Sequence, residues 1–149
     1  MWLVTKRQGA DSGLDIPDKY YVLYGSSVSI ANFAEGGTVM SVFEISPLVN
    51  KKGLRLAGEL DLATAPGLTE ALLDFASSED EVYLDLTELS FLDSSGLRVI
   101  LALARSRGDH GSLVLLAPSA SIMRILEIMG IDEHPGIEIR HPSAETMTV

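Results

Sequence analysis

One short stretch holds residue types that could do chemistry: Asp93-Ser94-Ser95-Gly96. It follows an apolar strand-like run and opens an apolar helix-like one. A carboxylate, two adjacent hydroxyls and a small glycine meet there, at the carboxyl end of a strand. That edge is where sites gather in α/β sheets. Three roles fit these residues: capping a helix, attacking a substrate, or accepting a covalent mark. Capping is the plainest, because Asp and Ser readily satisfy the free N–H groups of a helix N-terminus.

Nucleophilic attack fits poorly. A nucleophile elbow is Gly-x-Ser-x-Gly, and Leu92 stands where its first glycine would be. His110, His134 and His141 fall in predicted loops or near the C-terminus, as solvated residues rather than a base. A small serine hydrolase using Ser94 is therefore a remote alternative, and it needs a base within reach of Ser94. The third role is different in kind. A phosphoryl group on a serine here would sit at a helix N-terminus, which tolerates anions. Asp93 and the acidity of the chain oppose it, so the mark need not stabilise the fold. Its larger effect would be external, since it adds about −1.5 to −2 charges and would oppose a partner at an interface.

Other site chemistries find no pattern. The histidines lack metal-ligand spacing. Asp85, Glu88 and Asp93 could approach one another, but acids at strand ends are ordinarily solvated. No Gly-x-x-x-x-Gly-Lys-Ser/Thr loop occurs, and the chain has no cysteine, which excludes thiolate nucleophiles, Cys-ligated zinc and disulfides. No cofactor and no metal are expected.

The elements that position the turn follow from periodicity. Val42, Phe43 and Ile45 suggest a strand, Asn50–Gly53 a hairpin turn, and Leu54, Leu56 and Leu60 a second strand. Thr64 with Ala65-Pro66 reads as an N-cap and a first-turn proline, opening a helix over Ala65–Ser77. Glu81–Leu86 is a strand with Val82, Leu84 and Leu86 on one face. The helix after the turn runs to about Arg107, striped by Leu97, Ile100, Leu101 and Ala104, with Arg98, Arg105 and Arg107 pointing outward. Gly108 and Gly111 bracket its exit. Ser112–Pro118 is a nearly continuous apolar strand, covered on both faces. Ser119 or Ser121 caps a further helix, striped by Ile122, Ile125, Leu126 and Met129 and ended by Gly130. Gly136–His141 supplies a last strand, and the tail to Val149 adds a helical turn or frays.

Strands and helices thus alternate after an initial hairpin, which predicts one α/β domain with a mixed sheet and crossover helices. Residues 1–39 look different, with scattered Gly and Ser and one aromatic strand signal at Tyr20–Tyr24. Met40 would make a plausible native start, so this extension is either an upstream addition or an extra hairpin packed on the domain. The chain of 149 residues has 21 acidic against 11 basic residues and a net charge of −10. That balance opposes a phosphate-backbone partner and suits a partner with a basic face. No apolar run reaches the roughly 18 residues of a membrane span. The charges of the first residues follow their apolar run, unlike a secretory signal. A cytoplasmic protein with no membrane and no direct nucleic-acid partner is expected.

Two blocks carry a family likeness: "GELDLATAP", Gly58–Pro66, and "LDLTELSFLDSSGLRVIL", Leu84–Leu101. A weaker third is "SASIMRILEIMGI", Ser119–Ile131. Together they resemble the anti-sigma factor antagonists, the bacterial STAS-domain proteins, over Ser41–Arg140, about two thirds of the chain. The resemblance implies a STAS domain over 40–149, with a sheet of four to five strands and packed helices. It also implies partner switching. The unmodified antagonist binds an anti-sigma factor and frees its sigma factor. The anti-sigma factor is a serine kinase that brings its own ATP and Mg²⁺ and phosphorylates the antagonist, and a serine phosphatase restores it. Carried over residue by residue, the acceptor is Ser94, the serine after Asp93. Ser95, Gly96, Asp93 and Arg98 join the partner surface, with Asp61 from the first block, whose plainer reading is a solvated loop carboxylate. The extension before Met40 departs from simple family members. The rival reading within the family is a STAS module of a stress-signalling scaffold or of a lipid-transport ATPase.

Overall fold

The computed structural model describes residues 3–7, 19–24, 27–33 and 39–142. Among them, eight strands form one sheet in sequential order. β1 (Leu3–Arg7), β2 (Lys19–Tyr24), β3 (Ser27–Phe33), β4 (Val39–Pro47) and β5 (Gly53–Leu60) make an antiparallel meander. From β5 onward the pairing is parallel, through β6 (Val82–Leu92), β7 (Leu113–Leu116) and β8 (Ile137–Arg140). Each parallel step crosses over a helix: α1 (Ala65–Leu72), α2 (Ser94–Arg107) and α3 (Ala120–Ile128). The expected mixed sheet is present, and β4–β8 are its four to five strands. Residues before Val39 add three more at the β4 edge, where the aromatic run announced one. The tail from 143 lies outside the described residues.

Parallel strands laid down in one direction by right-handed crossovers receive their helices on one face. The core sits there, with Leu54, Leu56, Val82, Leu84, Leu86, Leu113 and Leu115 beneath Leu68, Leu97, Ile100, Ile122 and Leu126. Strand β6 is longer than the six residues expected, because it continues through Thr87–Leu92 to pair with β5 as far as Leu60. It does so with two irregularities. β5 advances from Arg55 to Ala57 while β6 advances from Asp85 to Glu88, and from Gly58 to Glu59 while β6 goes from Leu89 to Phe91. Such bulges break the period of two, which hid the second half of the strand. Helix α1 is shorter than expected and tightens into a 3₁₀ turn over Leu73–Phe75.

Two residues of the helix stripes depart from expectation. Met129 ends α3 exposed, past its last buried turn. Arg107 does not point outward: it is fully buried. It lies four residues after Leu103, on the inward face of α2. Its guanidinium donates to the carbonyls of Phe75 (3.0 Å), Ser78 (3.1 Å) and Asp80. Burial holds its pKa below the ordinary value, while the Asp80 carboxylate opposes that shift. The side chain thereby ties the end of α2 to the loop entering β6.

On the reverse face of the parallel strands a polar cluster flanks Val114, which is fully buried, so β7 is covered on both faces there as expected. Arg140 donates to Glu138 (2.6 Å and 2.9 Å), Glu81 (3.1 Å) and the Tyr83 hydroxyl (3.3 Å). Tyr83 donates to Glu81 at 2.6 Å, and Lys51 lies 4.7 Å from its ring centre. The Tyr83 hydrogen bond lowers the pKa of Glu81, and Arg140 lowers that of Glu138. Folded carboxylates with depressed pKa values stabilise the protein above their unfolded pKa, and that contribution vanishes as pH falls through the lowered value. Arg140→Gln should therefore shrink the drop in melting temperature between pH 7 and about pH 3, measured by circular dichroism. An undiminished drop would show that these pairs do not couple to folding. Arg107→Ala should cost about 3 kcal/mol in urea unfolding, since it takes the guanidinium donors from the Ser78 and Asp80 carbonyls and opens a cavity, while the Phe75 carbonyl keeps the Ser78 N–H.

Candidate functional site

The Asp93-Ser94-Ser95-Gly96 turn lies where β6 passes into α2. Asp93 is the N-cap, with extended backbone, and its Oδ1 accepts from the N–H groups of Ser95 (2.8 Å) and Gly96 (3.1 Å). This is the capping chemistry expected of Asp before a helix. Its other oxygen, Oδ2, accepts from the N–H of Leu62 at 3.2 Å, and the Asp93 N–H donates to the Leu60 carbonyl at 3.2 Å. The turn is thus stitched to the loop between β5 and α1, which brings the two sequence blocks together.

That second loop has its own cap. The Asp61 N–H donates to Thr64 Oγ1 (2.9 Å), while Asp61 Oδ1 accepts from the N–H groups of Ala63 (2.9 Å) and Thr64 (3.0 Å). This reciprocal pattern is a capping box. Thr64 is fully buried, and its hydroxyl turns back to the Glu59 carbonyl at 2.9 Å. Thr64 directly precedes α1, as expected of a cap, but its side chain does not cap that helix. Asp61 performs the capping one turn earlier. The spacing Asp61-x-x-Thr64 carried that signal in the sequence.

The candidate residues are placed as follows. Ser94 is exposed, and Ser95 and Asp93 are half-buried. Arg98 is exposed, one turn into α2. Asp61 is half-buried, with Oδ1 engaged inside its own loop. Gly96 differs from its expected place on a partner surface, because it is buried. A Cβ there would stand 2.6 Å from Leu60 Cγ and 2.7 Å from Leu92 Cδ1. Its smallness lets α2 start against the paired ends of β5 and β6. Two exposed apolar residues beside the turn escaped the sequence reading: Leu62 and Phe91.

Among the described residues no histidine or lysine hydrogen-bonds Ser94, and the adjacent carboxylate, Asp93, is committed to backbone N–H groups. His134 accepts from the Gly136 N–H in its own loop. Asp85 faces Arg55 (3.5 Å) and Thr87, away from the cap. Among the described residues no cluster of acids or histidines could hold a metal ion. None of their helices is long and apolar enough to cross a membrane.

The chain is similar to known proteins in sequence and in fold. The family model described as "Mlab, STAS domain" matches residues 47–140. The anti-sigma-B factor antagonist of Listeria monocytogenes is 39% identical over 92 residues, which are 60% of this chain and 79% of that protein. The anti-sigma-B factor antagonist of Bacillus subtilis is 31% identical over 81 residues, covering 54% of this chain and 74% of that protein. Among solved structures, an anti-sigma factor antagonist from Mycobacterium paratuberculosis superposes with a TM-score of 0.56 at 24% identity, over 68% of this chain and 88% of that one. That last likeness bears on the fold.

Packing at the turn yields a test. Gly96→Ala should destabilise the protein by about 1–3 kcal/mol, because its methyl group must displace Leu60 and Leu92. Asp93→Ala should cost about 1–2 kcal/mol through the lost cap. Urea unfolding reads both, and an unchanged midpoint for Gly96→Ala would mean the site has slack.

Proposed function

The chain belongs to the STAS domain family, and on that premise we propose that it works as an anti-sigma factor antagonist switched at Ser94. In this reading the unmodified protein binds an anti-sigma factor, which releases its sigma factor. The anti-sigma factor is a serine kinase, and phosphorylation of Ser94 ends the association until a serine phosphatase reverses it. The protein itself is a regulatory binding module of the cytoplasm rather than an enzyme. The observation that carries the reading is the state of the turn: Ser94 is exposed while the neighbouring carboxylate is locked into backbone N–H bonds. A hydroxyl presented on a fixed cap suits a visiting kinase, and Asp93 has no lone role as a base.

The same geometry accounts for the sign of the switch. The N–H groups of Ser95 and Gly96, which would otherwise receive an anion at the helix start, already bind Asp93. A phosphate on Ser94 therefore adds charge and bulk beside another carboxylate and faces outward. At an interface, like charge and a hydrated group oppose docking. Arg98 and the loop from Asp61 complete the proposed surface, with Asp93 and Ser95 shaping the turn.

The experiment is a pull-down from the source cells, with bait carrying Ser94→Ala or Ser94→Asp. The Ala variant should retain an ATP-binding serine kinase, and the Asp variant should lose it. Equal recovery of the same partner by both would refute the switch and favour a STAS subunit of a larger assembly.

A further inference from the structure

We propose that Leu62 and Phe91 form the apolar centre of the surface that receives the anti-sigma factor, and that Asp61 positions Leu62 instead of touching that partner. This deepens the reading above and rests on it. Leu62 is 75% exposed and Phe91 47% exposed. Both belong to segments that meet at the Ser94 turn: Phe91 is three residues before Ser94 in β6, and Leu62 is in the loop that Asp93 binds. Leu60 and Leu92 are register partners at the ends of β5 and β6, both buried. Phe91 directly precedes Leu92, opposite Glu59, and Leu62 follows Leu60 by two residues. The Leu62 N–H is fixed on Asp93 Oδ2, the carboxylate that caps the turn.

Single exposed apolar residues are common on protein surfaces. This pair differs in being held rigid around the switch. Phe91 stands in a sheet ladder, and Leu62 sits in a loop closed by the Asp61–Thr64 capping box. A backbone already ordered in the free protein leaves less entropy to lose on binding. Rigid apolar and aromatic anchors inside a polar rim are the usual energetic centre of an interface. Exposed Glu88, Ser90, Ser94 and Arg98 and half-buried Glu59 supply that rim. With a chain of net charge −10 and two glutamates against one arginine in that rim, the surface suits a partner that offers an apolar recess edged by basic side chains. A phosphate on Ser94 would then stand among groups that must be desolvated together.

Asp61 has a different task. Its Oδ1 is engaged by Ala63 and Thr64, so its carboxylate shapes the turn that presents Leu62. Asn can keep that acceptor but removes the charge, and Ala removes both.

The test uses the full chain carrying Ser94→Ala and, as ligand, the purified kinase that this bait captures. Dissociation constants are measured by calorimetry. Leu62→Ala should weaken binding roughly 30-fold or more, and Phe91→Thr similarly. Ile128→Ala, at an equally exposed residue on the far end of α3, should change it less than about twofold. Leu62 is too exposed for its truncation to unfold the protein, and a melting curve checks this. Asp61→Asn should bind within about threefold of the parent, with Asp61→Ala weaker in both affinity and melting temperature. A captured kinase that binds the Leu62 and Phe91 variants like the parent overturns the patch alone. Equal losses for Asp61→Asn and Asp61→Ala overturn the positioning role. A capture with no such kinase overturns the antagonist reading and the patch together.

Discussion

The Asp93 carboxylate binds three backbone N–H groups at once, those of Ser95 and Gly96 at the start of α2 and that of Leu62 in the loop before α1. A helix N-terminus leaves such donors open, and a carboxylate satisfies them with the favourable sign for the helix dipole. Here the same group also bridges two connections that lie 31 residues apart in sequence. The start of α2, and with it Ser94, is thereby tied to the loop that carries Leu62. The β5–α1 loop is held besides by its own capping box, by the Thr64 hydroxyl on the Glu59 carbonyl and by the Asp93 N–H on the Leu60 carbonyl. Gly96 lets the arrangement sit tight on the sheet, since its missing Cβ is the space that Leu60 and Leu92 fill.

The opposite end of α2 is secured by a different device. Arg107 reaches three carbonyls of the segment between α1 and β6, so the helix is pinned at both ends by polar contacts and along its length by Leu97, Ile100 and Leu103. A buried guanidinium remains charged and must be surrounded by acceptors. The reverse face of the parallel strands shows a related economy of cover: a cluster around Arg140 and Tyr83 lies where a second layer of helices would be usual. Val114 lies between Tyr83 and Glu138 in register and is fully buried there.

Much of this was legible in the sequence, and the gaps have physical causes. Asp93 before Ser94 announced a cap, the glycines after Arg107 announced the exit of α2, and the inward set Val82, Leu84 and Leu86 is buried as its alternation required. The alternation of α-helical and strand periods gave the layer order. Arg107 was misjudged because charge ordinarily marks the outward face, while its position four residues after Leu103 pointed inward. Gly96 carries no side chain to signal burial. The second half of β6 was hidden because bulges scramble the period on which strand recognition depends. Leu62 and Phe91 stood beside more conspicuous polar residues, and hydrophobicity alone does not say which apolar side chains remain uncovered.

Those two bulges carry a consequence for how the chain can vary. Between Asp85 and Leu92, β6 holds two residues more than β5 needs to span the same ladder. Each extra residue is taken up within its own bulge, so the pairing beyond it keeps its register, with Leu89 opposite Gly58 and Leu92 opposite Leu60. Removing the extra residue of one bulge would restore a one-to-one ladder there and leave Leu92 facing the core. Individual letters in Thr87–Ser90 are exposed, apart from Leu89, and can change with modest effect. The bulges are slack in the strand: they absorb a change in its length before that change reaches the pairing of Leu60 with Leu92, and so before it reaches the serine.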